Sequence, residues 1–246
     1  MSQATNANHP PLIINKIGIN ILGGGNYNEQ RLFAFLDRLQ PPAVVVMNNS
    51  DLALRLQARY PDMLVVYRRW PDDCITDHSP DAIAWVELMD REVPDKRIAL
   101  YAGNEPGPKC RDELFVLWNQ MAIQRANDLG RRLVVFNSGM GGPEDEEWFG
   151  TLKPLLKFVA GTQHIMGLHE YADFHNWKEP GWNPLEGDDW LVGRFQRMLD
   201  AAWAMGITED ISVLVTEHGM DSLDDQYHGW QAGKVLSAEE YAQQLI

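Results

Sequence analysis

Short apolar runs rich in valine, isoleucine and leucine alternate along this chain with longer stretches whose apolar residues recur every third or fourth position. The short runs predict seven strands, at Ile13 to Ile19, Ala43 to Met47, Met63 to Tyr67, Arg97 to Ala102, Leu133 to Asn137, Ile165 to Glu170 and Ser212 to Glu217. The longer stretches predict helices beginning near Asn28, Asp51, Ser79, Arg111, Glu146, Gly187 and Ser237, with Asp51 and Ser79 suited to cap their first turns. Leu133-Val134-Val135-Phe136 is too short for a helix and apolar throughout, as a parallel strand buried on both faces must be. From Glu113 to Leu129, by contrast, Leu114, Leu117, Met121 and Gln124-Arg125 mark a helical face expected to pack on the sheet, and Gly130 supplies the stop.

Strand and helix alternation through the whole chain argues for βα units and a parallel sheet. Polar and aromatic residues follow successive strands at the same end: Asn48-Asn49, Arg68-Arg69-Trp70, Asn104-Glu105, Asn137-Ser138, His169-Glu170-Tyr171 and Glu217-His218. An open, doubly wound sheet would gather such groups at one switch point. The expected fold is therefore α/β, a (β/α)8 TIM-type barrel with seven βα units visible. Residues 1–11, polar and rich in Asn and Pro, read as a flexible lead-in, and 12–246 as a single barrel domain. An eighth strand should follow the helix near Ser237, yet the sequence ends at Ile246 inside that helical pattern. The expectation is a barrel truncated at its C-terminus; a seven-stranded, open or partner-completed barrel is the alternative.

A length of 246 residues with 45% hydrophobic content is enough for one sizeable core. The formal charge of −14 leaves no basic footprint, which argues against nucleic acid and anionic membranes as partners. No stretch reaches the roughly 20 apolar residues of a membrane helix. Cys74 and Cys110 have neither metal-ligand nor C-x-x-C spacing, so two free thiols are expected, with one bridge left open. The N-terminus lacks the basic and apolar regions of a signal peptide, which favours the cytoplasm, although a processed secreted form would look the same. The sequence is silent on oligomeric state.

Two glutamates close apolar runs, Glu105 in Tyr101-Ala102-Gly103-Asn104-Glu105-Pro106 and Glu217 in Val213-Leu214-Val215-Thr216-Glu217. Burying a carboxylate at a strand end is costly unless the site uses it, and two of them suggest paired acid and nucleophile chemistry. Cleaving an acetal needs a protonated acid at the leaving oxygen, and retention needs a second, ionised carboxylate about 5–5.5 Å away.

Gly103-Asn104-Glu105-Pro106 after the fourth strand, His169-x-Tyr171 after the sixth and Thr216-Glu217-His218-Gly219 after the seventh resemble the retaining glycoside hydrolases of clan A. The resemblance spans nearly the whole chain in order. It implies that Glu105 is the general acid/base, Glu217 the nucleophile and Asn104 the donor to the sugar 2-hydroxyl, with Tyr171 holding Glu217. His169 would contact the substrate or hold one of these groups by a hydrogen bond. The implied activity is cleavage of a β-linked glycan or glycoside, with a carbohydrate as substrate and no cofactor or metal.

Two departures stand out. Clan members usually present an arginine near the nucleophile from the second strand; here the second strand ends in Met47-Asn48-Asn49, and Arg68 and Arg69, either of which could take the role, follow the third. The aromatic platform that usually follows the eighth strand has no counterpart. Phe174, Trp177, Trp182 and Trp190 crowd one connection, and Trp177 or Trp182 is the candidate wall of a sugar subsite, with packing of the loop on the barrel as the alternative. Trp70 and Trp230 are weaker candidates. Gly23-Gly24-Gly25 lacks dinucleotide-binding spacing and reads as a turn, and His169-Glu170 with Asp173 and His175 is not a metalloprotease motif. The acidic run Glu144-Asp145-Glu146-Glu147 suits a solvated helix start. The competing function is a barrel without turnover that binds carbohydrate or serves as a scaffold.

Overall fold

Parallel strands buried on both faces need continuous apolar runs, and those runs become the strands of a single sheet. The structure, a computed structural model, describes residues 19–22, 28–69, 81–104, 111–139, 142–173 and 194–221. Among these, β1 (Ile19–Leu22), β2 (Ala43–Met47), β3 (Leu64–Arg68), β4 (Ala99–Tyr101), β5 (Leu133–Ser138), β6 (Ile165–Asp173) and β7 (Ser212–Asp221) lie side by side in chain order. Every neighbouring pair is parallel. The sheet curls, and with its helices it forms part of a TIM-like barrel.

Helices α1 (Glu29–Leu39), α2 (Ser50–Arg59), α3 (Ala82–Glu92), α4 (Glu113–Asp128), α5 (Asp145–Phe149), α6 (Lys153–Val159) and α7 (Arg194–Ala204) occupy the connections. The first four are opened by Asn or Asp side chains, each accepting a backbone N–H of the first turn: Asn28 from Arg31, Asn49 from Leu52, Asp81 from Ile83 and Asp112 from Phe115. Each such cap is worth about 1 kcal/mol. Asn49, not Asp51, caps α2, because Asp51 already lies inside its first turn. Two short helices, α5 and α6, stand where the sequence predicted one. The first strand pairs through Ile19–Leu22, most of its expected range lying outside the described residues, and β6 and β7 continue past theirs.

The apolar side chains divide between the two faces of the sheet. Val45, Val66, Ala99, Tyr101, Val134 and Ile165, with Leu64 and Leu214, form a cluster on the inner face. Alternate residues such as Val44, Val65, Leu100, Val135 and Met166 join the helices in a larger outer core. On α4 the buried residues are Phe115, Val116, Asn119, Ala122, Ile123 and Ala126, whereas Leu114, Leu117 and Met121 are exposed, Leu114 to 73%. This reverses the face expected of that helix: the small and aromatic side chains seat closely against the sheet and α3, and the larger aliphatic stripe points outward.

Below the sheet, Arg131 is fully buried just before β5 and binds the Asp90 carboxylate together with the Asp95 and Val93 carbonyls. Burial pushes the Asp90 carboxyl upward, but hydrogen bonds from Lys96 and Arg131 outweigh it and hold it below the usual carboxylate range. Such partners are what make a buried guanidinium tolerable. No described helix is long and apolar enough to cross a membrane.

Candidate functional site

The upper ends of β3, β4, β6 and β7 bring Arg68, Tyr101, Asn104, His169 and Glu217 together on the inner face. Arg68 continues the inward series Leu64, Val66 on β3, so its guanidinium lies above the inner apolar cluster instead of among the helices. It pairs with Glu217 Oε1, and its Cζ sits 4.9 Å from the centre of the Tyr101 ring. Arg68 is buried, while the Glu217 side chain keeps 21% of its surface open. A cation held between a carboxylate and an aromatic face has the partners its burial requires.

Arg69, the other arginine that could take the role near the nucleophile and a candidate substrate contact, has its described ion pair with Glu92 at the end of α3. The parity of β3 explains the difference, since successive residues leave the strand on opposite sides and Tyr67, an outer residue, also bonds Glu92 at 2.8 Å. Arg68 is the arginine that meets Glu217.

Glu217 reaches the inner face through a register shift. Leu168 pairs with Val215, but His169 pairs with Glu217, so Thr216 is an extra residue in β7. Plain alternation from the inward Leu214 would have turned Glu217 toward the helices; the bulge re-aims it. The Thr216 hydroxyl donates to the Leu168 carbonyl at 3.3 Å, which anchors the extra residue.

The same shift sets His169 beside Glu217, with Nε2 3.7 Å from Oε1. His169 is buried, and its Nε2 also lies 2.9 Å from the Tyr101 hydroxyl. Tyr101 in turn bonds Asn104 Oδ1 at 2.9 Å. An amide oxygen only accepts, so the Tyr101 proton goes to Asn104 and the bond from His169 must carry a proton on Nε2. The chain of donors therefore runs His169 to Tyr101 to Asn104. The Nε2–H is thus given to Tyr101, with Glu217 Oε1 3.7 Å away, and the arrangement leaves the Asn104 amide nitrogen as the donor end of that side chain. Asn104 itself is buried.

Tyr171 is placed by its backbone, opposite Gly219 in β7, and its side chain lies outside the described residues. So do Glu105, Trp177 and Trp182, the cysteines at 74 and 110, Gly23-Gly24-Gly25, Trp70, Trp230 and the helices expected near Ser79 and Ser237 at their starts. Glu105 directly follows Asn104 in sequence. Among the described residues no group of three or more His, Cys, Asp or Glu side chains is arranged to hold a metal ion.

Tyr101 was absent from the candidates drawn from sequence, although one signal was available: a tyrosine ending a strand, in step with the inward Ala99. The acidic run is more than a solvated helix start, because Glu147 accepts from Arg111 Nε at 2.8 Å and Nη2 at 3.1 Å and from the Glu144 N–H at 2.8 Å. Burial raises the Glu147 carboxyl, and these bonds more than reverse the rise. Nearby, the buried Arg194 donates to the Gly139 and Pro143 carbonyls at 3.1 Å each, and burial lowers its pKa to about 10. This second charged cluster ties the connections after β4 and β5 to α5 and α7.

No protein-family model matches the chain, and no curated protein matches it.

Proposed function

We propose that this chain is a retaining glycoside hydrolase acting on a β-linked glycan or glycoside, on seven strands of a (β/α)8 barrel. The observation that carries the reading is the Glu217 carboxylate, turned onto the inner face by a bulge, paired with Arg68 and faced by His169. A carboxylate paired with a guanidinium yet partly open to solvent is placed to attack an electrophilic carbon.

In this mechanism Glu217 attacks the anomeric carbon while Glu105 protonates the leaving oxygen; Glu105 then draws a proton from water, which releases the sugar from Glu217. Asn104 donates its amide N–H to the 2-hydroxyl, its oxygen being occupied by Tyr101. Trp177 or Trp182 offers a face to the apolar side of a sugar ring. His169 and Tyr101 keep the nucleophile and the amide in fixed relation.

The test is release of reducing sugar or aglycone from a panel of β-glycans and aryl β-glycosides by the parent chain, Glu105→Gln and Glu217→Gln. Turnover by the parent, lost in both variants, supports the reading. Glycan binding without turnover in the parent would instead indicate a carbohydrate-binding barrel, and neither would overturn both.

A further inference from the structure

We infer that Asn137 is a positioning residue that fixes the exit of β4 against β6 and the β7 bulge; its consequence for turnover rests on the glycosidase reading above. Strain on β5 is the starting point. Val135 pairs with Met166 and Ser138 with Leu168, so β5 spends one more residue than β6 over this interval. The two residues between, Phe136 and Asn137, take φ of 78° and 39°. Left-handed backbone at a side-chain-bearing residue is strained and persists where surrounding contacts enforce it.

Those contacts converge on the Asn137 amide, which is fully buried. Its Nδ2 lies 3.2 Å from the Ala102 carbonyl oxygen, 3.0 Å from that of Gly103 and 3.2 Å from that of Val134. Its Oδ1 occupies the space left by Gly167: a Cβ on that glycine would stand 1.8 Å from it. The Thr216 hydroxyl approaches the same oxygen at 3.5 Å. One side chain thus touches the residues just before Asn104, the strand carrying His169 and the residue just before Glu217.

The chemistry is particular to an amide in this place. An aspartate would set a second oxygen against three carbonyl oxygens. A glutamine would need room that Gly167 alone does not give. Gly167 is equally constrained, since any side chain would displace the amide. Asn137 lies behind the site residues, and acts by setting where the Asn104-Glu105 segment meets the substrate relative to Glu217.

Misplacing an acid by about 1 Å costs roughly 100-fold in rate, and the loss is greatest where the leaving group needs its proton. The experiment compares aryl β-glycosides bearing phenol and dinitrophenol leaving groups in the parent, Asn137→Asp and Gly167→Ala, which disturb the amide from opposite sides. The expected result in either variant that folds is a roughly 100-fold fall in kcat/KM, which reports the leaving-group step alone, for the phenyl glycoside with a fall under about tenfold for the dinitrophenyl glycoside. Equal falls on both substrates, or none, would overturn the proposal. Absence of parent turnover on both would defeat the glycosidase reading separately. The clamp is then judged by nuclear magnetic resonance of Asn137→Asp: displaced Asn104 side-chain amide and His169 ring signals support it, and unmoved signals overturn it.

Discussion

Arg68 and Glu217, 149 residues apart in sequence, form an ion pair across the inner face of the sheet, joining the end of β3 to the bulge of β7. The pair closes the upper rim of the curled sheet with one cation and one carboxylate. Around it, the Tyr101 ring lies under the guanidinium and His169 approaches the carboxylate. Charge, register and strand parity therefore converge on a single oxygen, Glu217 Oε1.

Replacing Arg68 by alanine removes the cation from a carboxylate that is mostly enclosed. The expected loss in kcat/KM on a responsive aryl β-glycoside is about 100-fold or more, the scale of one preorganised electrostatic contact. Arg69→Ala breaks the pair with Glu92, which is more open to solvent, and should change kcat/KM by no more than roughly twofold. Comparable losses in the two variants, measured side by side, would refute the assignment of the inner arginine to Arg68.

Tyr101→Phe deletes a hydroxyl and nothing else. Two hydrogen bonds disappear, to His169 and to Asn104, each worth about 1 kcal/mol. Turnover should fall roughly 30-fold, with the ring and its contact to Arg68 retained. Steady-state kinetics together with thermal unfolding separate this from a packing defect: a loss of activity with a shift of only a few degrees in Tm is the expected pattern.

The strands were legible because a parallel strand leaves a contiguous mark such as Val44-Val45-Val46 or Val134-Val135. Strand parity at the site was harder to read. Nothing in Val213-Leu214-Val215-Thr216-Glu217 announces that Thr216 is an extra residue, since a bulge is a relation between two strands and only one is visible at a time. The same limit applied to Arg68 and Arg69, adjacent residues whose choice of face depends on the register of β3 with its neighbours. Asn137 was visible at a strand end, but its role depends on a gap at Gly167, some 30 residues later, and absence of a side chain leaves no pattern.

His164 links pH to stability at the opposite end of the sheet. The ring is buried; its Nδ1 accepts from the Leu133 N–H at 3.2 Å, so Nε2 carries the proton and donates to Asn127 Oδ1 at 3.0 Å. Burial lowers its pKa from 6.5 to about 4, with Arg132 adding to the effect. Between those values the unfolded chain binds a proton that the folded chain refuses, so the contribution is complete above about pH 6.5 and fades as pH falls toward 4. Denaturant unfolding at several pH values should show this decline, and His164→Asn should flatten it; an unchanged slope in that variant would assign the decline to other groups.

The reversed face of α4 makes a prediction opposite to the one its sequence suggests. Leu117 lies on the apparent apolar stripe but is half exposed, whereas Ile123 is fully buried in the outer core. Leu117→Gln therefore removes little buried area and should alter unfolding free energy by no more than about 0.5 kcal/mol. Ile123→Ala opens a cavity where neighbours cannot close in, at a cost of about 2–5 kcal/mol. If the stripe instead faced the sheet, the ranking would invert, because a glutamine amide would then be buried without partners and the alanine would sit at the surface. Urea denaturation of the two single variants decides between these orientations, and the larger effect identifies the helix face that the sheet covers.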